Sequence, residues 1–336
     1  MKKVILTIII IILLSSKMQS NLFIPWKTSK LIIPEHFPKL KDIEIWMKQI
    51  SLENSDFVKL VPYGKSYNNL LKDYNLFALE IAHKDYNQKK YALLNGGIHP
   101  RELMSIYSII LWVNNLIFKI KKKDEFWYEY IKYVKLIVIP LINPDGYEMV
   151  IKGWNWRKNT HIYRYISPHY APNSYGVDLN RNFPKFFIPV KFSFHYTWGG
   201  PEPLSEPETK YLVKYLENKK IEVSLSLHSY GRFVSFPWWG SDKKIPCYLI
   251  HKKVIFKLKK IMKTYSFRQG TGYRINGNFG DWIYEKNKCL TFSIEIGDNF
   301  NPDKKTSILW YKQIEEGIYF ILAQAFKNKK YNYGVE

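Results

Sequence analysis

Tyr91-Ala92-Leu93-Leu94-Asn95-Gly96-Gly97-Ile98-His99-Pro100-Arg101-Glu102 joins two segments of different hydrophobic pattern. The apolar run before Asn95 is typical of a buried strand, and the periodic apolar segment at 103–118 predicts a helix. His99 and Glu102 therefore lie at a strand-to-helix corner, where a short, stiff piece of backbone can supply two metal ligands. The other interpretation is a histidine in a turn and an acid at a helix N-terminus, which the helix dipole favours. This motif alone does not decide between the two.

The composition bounds the size and class of the protein. The chain has 336 residues, 46% of them hydrophobic, and no linker or repeat divides it, so we expect one large domain. Its formal net charge is +22, from 51 Lys and Arg against 29 Asp and Glu. Such a charge favours anionic partners, but the lysines are scattered and no nucleic-acid motif accompanies them. We expect no specific nucleic-acid partner and attribute the charge to a biased composition, with polyanion binding as an alternative.

The N-terminal residues resemble a targeting segment. Met1-Lys2-Lys3 precede an uncharged, almost wholly apolar stretch at 4–14, which predicts a secretory signal at 1–20 and a secreted or extracytoplasmic location, periplasmic or extracellular. The stretch is shorter than the roughly 20 residues that span a bilayer. No clear cleavage site follows it, so an uncleaved anchor is an alternative, and a membrane is an expected partner only in that case. We expect a short extension at 21–34 after the signal.

Hydrophobic patterning predicts alternating strands and helices. Strands are predicted at 57–61, 76–83, 90–94, 134–142, 221–228 and 290–296, and helices at 40–50, 103–118, 206–218, 254–264 and 307–326. This alternation is typical of an α/β fold with a mostly parallel sheet, in which functional residues gather at strand ends. We interpret residues 143–147 as a turn and the aromatic segment 152–200 as a long functional loop.

A third metal ligand would be needed, and the best candidate is His228, which lies at the end of a predicted strand. It lies 126 positions after Glu102. Two ligands close together and one distant, with a fourth position left for water, form the pattern of a catalytic zinc site. A strand-end histidine taken alone is more often structural. The interpretation of His228 as a metal ligand therefore depends on the other motifs of the chain.

Several short blocks occur together in one order along the chain. They lie at 95–102, 143–147, 156–159, 176–183, 226–230, 280–282 and 292–295. In these blocks the chain resembles the zinc metallocarboxypeptidase family, typified by the pancreatic carboxypeptidases, over roughly residues 35–325. The resemblance implies a single α/β domain at 35–328, with a central mixed, mostly parallel twisted sheet of about eight strands flanked by helices. A short tail at 329–336 would follow.

The resemblance also implies the residues of a zinc site. His99, Glu102 and His228 would bind one zinc ion per chain. Asp178 would stand behind His99 and fix its tautomer. Glu295 would be the general base that takes a proton from the attacking water.

Further residues would bind the substrate. Arg157 would stabilise the oxyanion that develops on the scissile carbonyl. Asn180 and Arg181 would hold the free C-terminal carboxylate, which suits the planar fork of an arginine. Tyr273, eight residues before Asp281, would close over the terminal residue.

Two more residues would contact the part of the substrate that precedes the cleaved bond. The resemblance places Arg101 and Tyr230 there. The expected partner is therefore a peptide or protein with a free C-terminus, and we expect the enzyme to be a monomer.

The segment between Tyr273 and Asp281 departs from the family pattern. The position before Asp281 lies at the floor of the family's specificity pocket, where an acid selects basic C-terminal residues. Here it is Gly280. We therefore hypothesise a roomy, neutral pocket that favours apolar or aromatic C-terminal residues, with residues 236–240 helping to shape it. We also expect no long inhibitory prosegment, since few residues separate the signal from the matching region.

Alternatives of other kinds stay open. Some bacterial relatives of the family cut cell-wall peptides, including γ-D-glutamyl linkages to diaminopimelate, and the same site could serve that reaction. A non-catalytic binding protein on the same fold is a further alternative, which the presence of all the ligand and base residues disfavours. The chain has two cysteines, Cys247 and Cys289, and the sequence does not decide whether they form a disulfide.

Overall fold

The computed structural model describes residues 34–66, 73–88, 90–162, 175–190 and 192–326. The predicted signal at 1–20, all but the last residue of the extension at 21–34, and the tail at 329–336 lie outside these ranges. They stay predictions.

The described residues form eight strands and eight α-helices. The strands are β1 (Val58–Lys65), β2 (Asn75–Ile81), β3 (Lys90–Asn95), β4 (Val134–Ile139), β5 (Ile221–His228), β6 (Phe233–Phe236), β7 (Ser266–Gln269) and β8 (Leu290–Glu295). The helices are α1 (Leu40–Glu53), α2 (Leu103–Lys121), α3 (Glu125–Tyr133), α4 (Pro144–Ile151), α5 (Pro207–Leu216), α6 (Tyr248–Ile261), α7 (Phe279–Asn287) and α8 (Lys304–Ala323). In the described part of the long segment that joins α4 to α5, residues Leu179–Arg181 form a 3-10 turn.

All eight strands belong to one mixed sheet in the order β1-β2-β4-β3-β5-β8-β6-β7. The centre is parallel, since β3 pairs with β4 and β5, and β5 pairs with β8. The antiparallel pairs are β1 with β2, β2 with β4, and β6 with β8. The parallel strands β3, β5 and β8 therefore end at the same edge of the sheet, which is where ligands bind in sheets of this kind.

Both faces of the sheet are covered. Alternate residues of a strand point to opposite faces, and on β3 Ala92 and Leu94 join one buried cluster while Leu93 joins the other. Helices α2 and α8 supply much of the larger cluster, and α5 and α7 cover the other face. The structure is a three-layer α/β domain, as the sequence predicted.

Helix α2 is the one described helix that is long and apolar enough, by composition, to cross a membrane. More than half of it is buried within the fold. It is a core helix, with Trp112 and Val113 fully buried.

The loop between β3 and α2 depends on a glycine. Gly97 has a φ of +62°, and a Cβ at this position would meet Leu141 Cδ1 at 2.8 Å and Ile106 Cγ1 at 3.0 Å. Its N–H donates to Ser105 Oγ at 3.1 Å, and its carbonyl accepts from the N–H of Asn143. A larger residue is strained here in both conformation and space, so this glycine fixes the path of the chain into His99.

Several elements were not predicted. The turn predicted at 143–147 is wrong, because the Asn143 side chain accepts from the N–H of Gly146 at 3.0 Å and caps helix α4, with Pro144 at its first position. Helices α3 and α7 are only nine residues long. Strands β6 and β7 have four residues each, too few for a clear alternation.

Candidate active site

The metal-ligand candidates His99, Glu102 and His228 meet at the ends of β3 and β5. Each offers one ligand atom, and these atoms lie within 4.8 Å of one another. Glu102 Oε1 lies 2.7 Å from His99 Nδ1, and Glu102 Oε2 lies 3.0 Å from His228 Nδ1. All three side chains are buried. Two imidazoles and one carboxylate converging on one point are a donor set that suits zinc.

The charges of this cluster offset one another. Burial alone would raise the pKa of Glu102, but the charges of His99 and His228 outweigh it and hold this pKa well below its ordinary value. Burial lowers the pKa of His228, and Glu102 more than reverses this, so the net shift is upward. The carboxylate is therefore held in the ionised form that binds a metal.

Asp178 lies directly behind the cluster and is fully buried. Its Oδ1 is 3.2 Å from His99 Nε2, and its Oδ2 accepts from Arg157 Nε at 2.9 Å. Arg181 Nη1 lies 4.0 Å from the same Oδ2. Burial would raise the pKa of Asp178, but Arg157, Arg181 and His99 hold it well below its ordinary value. This ionised acid orients the His99 ring and the Arg157 guanidinium together.

Glu295 ends β8 directly beside His228, its register partner on β5. Burial raises the pKa of Glu295 to about 7, against the opposing charges of His228 and Arg157. A carboxylate next to the donor cluster can accept a proton from a water molecule placed between them.

The loop residues Asn180 and Arg181 follow Asp178 in the 3-10 turn. Asn180 Oδ1 accepts from the N–H of Phe279 at 2.9 Å, and Arg181 Nη1 donates to the carbonyl of Asn180 at 2.7 Å. The bond between Asn180 and Phe279 ties the turn to the start of α7. Both side chains line the cavity with donors left toward it.

Arg101, Tyr230 and Tyr273 lie around the rim. Tyr273 is 68% exposed and Tyr230 is 48% exposed, so both rings are free to meet a ligand. Arg101 lies between aromatic rings, with its Cζ 4.3 Å from the centroid of Phe300 and 5.2 Å from that of Tyr196. Sequence reasoning missed Tyr196 because it lies in a long loop without periodicity.

One cavity of about 410 Å³ connects these groups. Ten of the eleven predicted site residues line it, and the eleventh, Asp178, lies behind its wall. Its lining also includes the polar residues Asn95, Ser226, Ser235, Arg268 and Ser293, and the apolar residues Phe233, Trp239, Ile275 and Phe279. Sequence reasoning missed Arg268, because strand β7 was not predicted.

The pocket floor differs from the roomy one expected at Gly280. A Cβ on Gly280 would lie 2.5 Å from Trp239 Cζ3, so the indole takes the space that a glycine leaves. Trp239 is held in place, because its Nε1 donates to Ser235 Oγ at 2.9 Å and its backbone N–H donates to Asp281 Oδ1 at 3.0 Å. Asp281 is thus turned away from the pocket, toward the backbone of residues 239 and 240.

The two cysteines are both free in the structure. Cys289 Sγ lies 3.2 Å from Thr291 Oγ1, and Cys247 Sγ lies 3.9 Å from the carbonyl of Lys288. No disulfide joins them.

Comparisons with known proteins agree with this arrangement. A family model described as zinc carboxypeptidase matches residues 43–316. Carboxypeptidase B2 of Rattus norvegicus is 27% identical over 278 residues, which are 79% of this chain and 64% of that protein. Human carboxypeptidase O is 26% identical over 294 residues, 82% of this chain and 74% of that protein. The chain thus spans a little under two thirds of the length of carboxypeptidase B2.

Solved structures show the same fold. A crystal structure of thrombin-activatable fibrinolysis inhibitor superposes with a TM-score of 0.76 at 23% identity, covering 86% of this chain and 73% of that one. Carboxypeptidase A from Helicoverpa armigera superposes with a TM-score of 0.73 at 19% identity, covering 86% of this chain and 74% of that one.

Proposed function

The chain belongs to the zinc carboxypeptidase family, and we propose that it hydrolyses the C-terminal peptide bond of peptides or proteins. The observation that carries this proposal is one cavity that holds both a His-Glu-His donor cluster and a pair of carboxylate-binding groups, Asn180 and Arg181. The donor cluster can bind the metal that acts on the scissile bond, and Asn180 and Arg181 can recognise a free C-terminus.

His99, Glu102 and His228 would hold the zinc ion. Zinc bound there supplies a Lewis acid that makes water a stronger nucleophile and polarises the scissile carbonyl. The buried position of all three side chains keeps their geometry fixed and excludes bulk water.

Glu295 and Arg157 would act on the reacting atoms. Glu295 takes a proton from the attacking water and later gives it to the departing amine, a role for which a carboxyl with a raised pKa is suited. Arg157, already oriented by its bond to Asp178, donates toward the oxygen on which negative charge develops.

Asn180, Arg181 and Tyr273 would bind the terminal carboxylate. A guanidinium and an amide offer several parallel donors, which a carboxylate accepts well. Tyr273 is exposed enough to close over the terminal residue once it is bound. Arg101 and Tyr230 would contact the residue on the other side of the cleaved bond.

The lining of the pocket bears on which C-terminal residue the enzyme prefers. Gly280 and the turned-away Asp281 leave no acid at the pocket floor, which supports the sequence-based hypothesis that Lys and Arg are disfavoured. Trp239, Ile275 and Phe279 supply apolar walls, on which the sequence-based hypothesis of an apolar or aromatic C-terminal residue rests. The lining is not wholly neutral, however, because Arg268 belongs to it.

The first experiment is hydrolysis of blocked dipeptides with C-terminal Phe, Leu, Lys, Arg, Gln or Glu by the zinc-loaded chain, with and without a chelator. We expect release of the C-terminal residue that stops with chelator and is restored by zinc. The variant Glu295→Gln should fold normally and lose about 10²- to 10⁴-fold in kcat. Endoproteolytic cleavage, or full activity of Glu295→Gln, would overturn the proposal.

We further propose that the enzyme acts outside the cytoplasm as a monomer. The support for export is the basic start and apolar stretch at 4–14. Cell fractionation with and without residues 1–20 tests it, and an unchanged distribution would count against export.

A further inference from the structure

One row of polar side chains crosses the pocket face of five strands. The register pairs Asn95 on β3 with Ser226 on β5, Ser226 with Ser293 on β8, Ser293 with Ser235 on β6, and Ser235 with Arg268 on β7. Register partners on neighbouring strands point to the same face of a sheet. All five residues line the cavity.

The four members of this row on β3, β5, β8 and β6 are buried, and Arg268 on β7 is exposed. The two central members precede the groups proposed for catalysis along their strands. His228 and Glu295 are each two positions further along β5 and β8 than Ser226 and Ser293. Residues two apart on a strand share a face and lie about 7 Å from each other. The row is therefore the part of the cavity that the side chain of a C-terminal residue would reach when its carbonyl is at the donor cluster.

Every side chain of the row can donate a hydrogen bond. Asn95 is 2% exposed, and its Nδ2 has no hydrogen-bond partner among the described residues. Ser235 accepts from Trp239 Nε1, which leaves its own hydroxyl proton free to donate into the pocket. A buried donor without a partner is destabilising, so an acceptor in the pocket would offset this destabilisation.

Arg268 adds a positive charge at the outer end of the row. Its Cζ lies 3.8 Å from the ring centroid of Phe233, so the guanidinium stacks on a ring that itself lines the cavity. No acidic residue among the described ranges forms an ion pair with it.

We propose that the pocket selects peptides ending in aspartate or glutamate, whose side-chain carboxylate binds Arg268 and the donors of the polar row. This rests on the proposed carboxypeptidase function and names its substrate class. A carboxylate accepts several hydrogen bonds at once and pairs strongly with a guanidinium. The net charge of +22 would also draw acidic peptides to the protein.

The test compares kcat/KM for blocked dipeptides ending in Glu and in its uncharged isostere Gln. A charged hydrogen-bonded pair is worth enough to favour Glu by about 10- to 100-fold. In Arg268→Met the ratio of Glu to Gln should fall to near one. In Arg268→Glu the preference should move to C-terminal Lys, a gain that a merely structural role of Arg268 would not produce.

Arg274→Met is the matched control. Arg274 is an exposed arginine that pairs with Asp242 and does not line the cavity. The ratio of Glu to Gln should be unchanged in this variant. Equal loss in both arginine variants would mean that general surface charge, and not the pocket, sets the preference.

The outcomes separate this inference from the proposed function. If the wild-type chain releases Phe well and Glu no faster than Gln, the inference is wrong and the carboxypeptidase proposal stands. If no peptide is cut, the proposed function fails, and binding of free glutamate against glutamine, measured by calorimetry on wild type and Arg268→Met, decides the inference by itself. Equal binding of the two amino acids would overturn it.

Discussion

The two ends of the cavity are built on opposite principles. Around the donor cluster the charged groups are already paired, with Glu102 between two imidazoles and Asp178 between His99 and Arg157. Along the polar row two groups are left open: within the described part of the chain, Asn95 Nδ2 has no hydrogen-bond partner and Arg268 forms no ion pair. We name these the closed end and the open end.

The contrast shows what each end has to do. The reacting groups must be oriented before the substrate arrives, because reorientation during the reaction costs rate. A recognition pocket instead gains specificity when its own groups lack partners, because a wrong ligand then leaves them unpaired. Both ends lie on the same face of the sheet. The chemistry of their side chains, and not their place in the fold, therefore distinguishes them.

The largest effect should come from breaking the closed end at its centre. In Glu102→Ala two buried imidazoles lose the carboxylate between them, and one ligand is gone. We expect the zinc content to fall from about one per chain to near zero, with hydrolysis lost, as measured by metal analysis and the dipeptide assay. Glu316→Ala, an exposed acid on α8, is the control and should keep its zinc. Full zinc occupancy in Glu102→Ala would show that the metal lies elsewhere.

The next prediction compares the two ends directly in urea unfolding. Asp178→Ala leaves Arg157, Arg181 and His99 without their buried counter-charge and should cost about 3–5 kcal/mol. Asn95→Ala removes a side chain with an unpaired donor and should cost only about 1 kcal/mol. Similar losses in both variants would mean that the open end is as fully bonded as the closed one.

The buried site around His251 extends the comparison. Its hydrogen bonds are all made, as at the closed end, but it carries no charge. His251 is fully buried, its Nδ1 donates to the carbonyl of Cys247 at 2.9 Å, and its Nε2 accepts from the N–H of Thr291 at 3.1 Å. This arrangement requires a neutral ring, and burial lowers the pKa of His251 to about 4.

The pH dependence follows from that lowered pKa. The unfolded chain takes up a proton near pH 6.5 and the folded chain only near pH 4, so stability falls as the pH drops between these values, by about 3 kcal/mol. The free energy of unfolding of wild type and His251→Phe, measured at pH 7 and pH 4, tests this. Between the two pH values wild type should lose about 3 kcal/mol more stability than the variant. His195→Gln, at an exposed histidine, should behave as wild type. An equal drop in wild type and His251→Phe would refute the assignment.

An effect on substrate binding alone is expected at Arg181, which lies between the two ends. Arg181→Met should raise KM about 10- to 100-fold with little change in kcat, because the terminal carboxylate is bound equally before and during the reaction. Steady-state kinetics on one dipeptide separates the two constants. A fall in kcat at unchanged KM would assign Arg181 to the transition state.

The closed end could be predicted from the sequence and the open end could not. His99, Glu102, His228 and Glu295 sit in short blocks of distinctive order, and the structure brings them together. The fold class was also predictable, because the central strands are long apolar runs and α2 and α8 have clear helical periodicity. The roles of these residues stay predictions until the experiments above are done.

The other features of the cavity could not be predicted from the sequence, for physical reasons. β7 is a four-residue edge strand with exposed and half-buried positions, so it carries no hydrophobic signal, and Arg268 was hidden with it. The polar row is a product of strand register, which links positions from 95 to 268. Trp239 fills the space beside Gly280 only because Asp281 and Ser235 hold it there, and neither contact is local.

The distance along the chain between the proposed ligands has a consequence for folding kinetics. Glu102 and His228 are 126 residues apart and meet only when β5 lies beside β3. Contacts between such distant segments form late, because closing the long loop costs entropy first. We therefore expect zinc to leave the refolding rate unchanged and to slow unfolding, since it binds only the finished sheet. Zinc binding would then report when the last step of folding is complete.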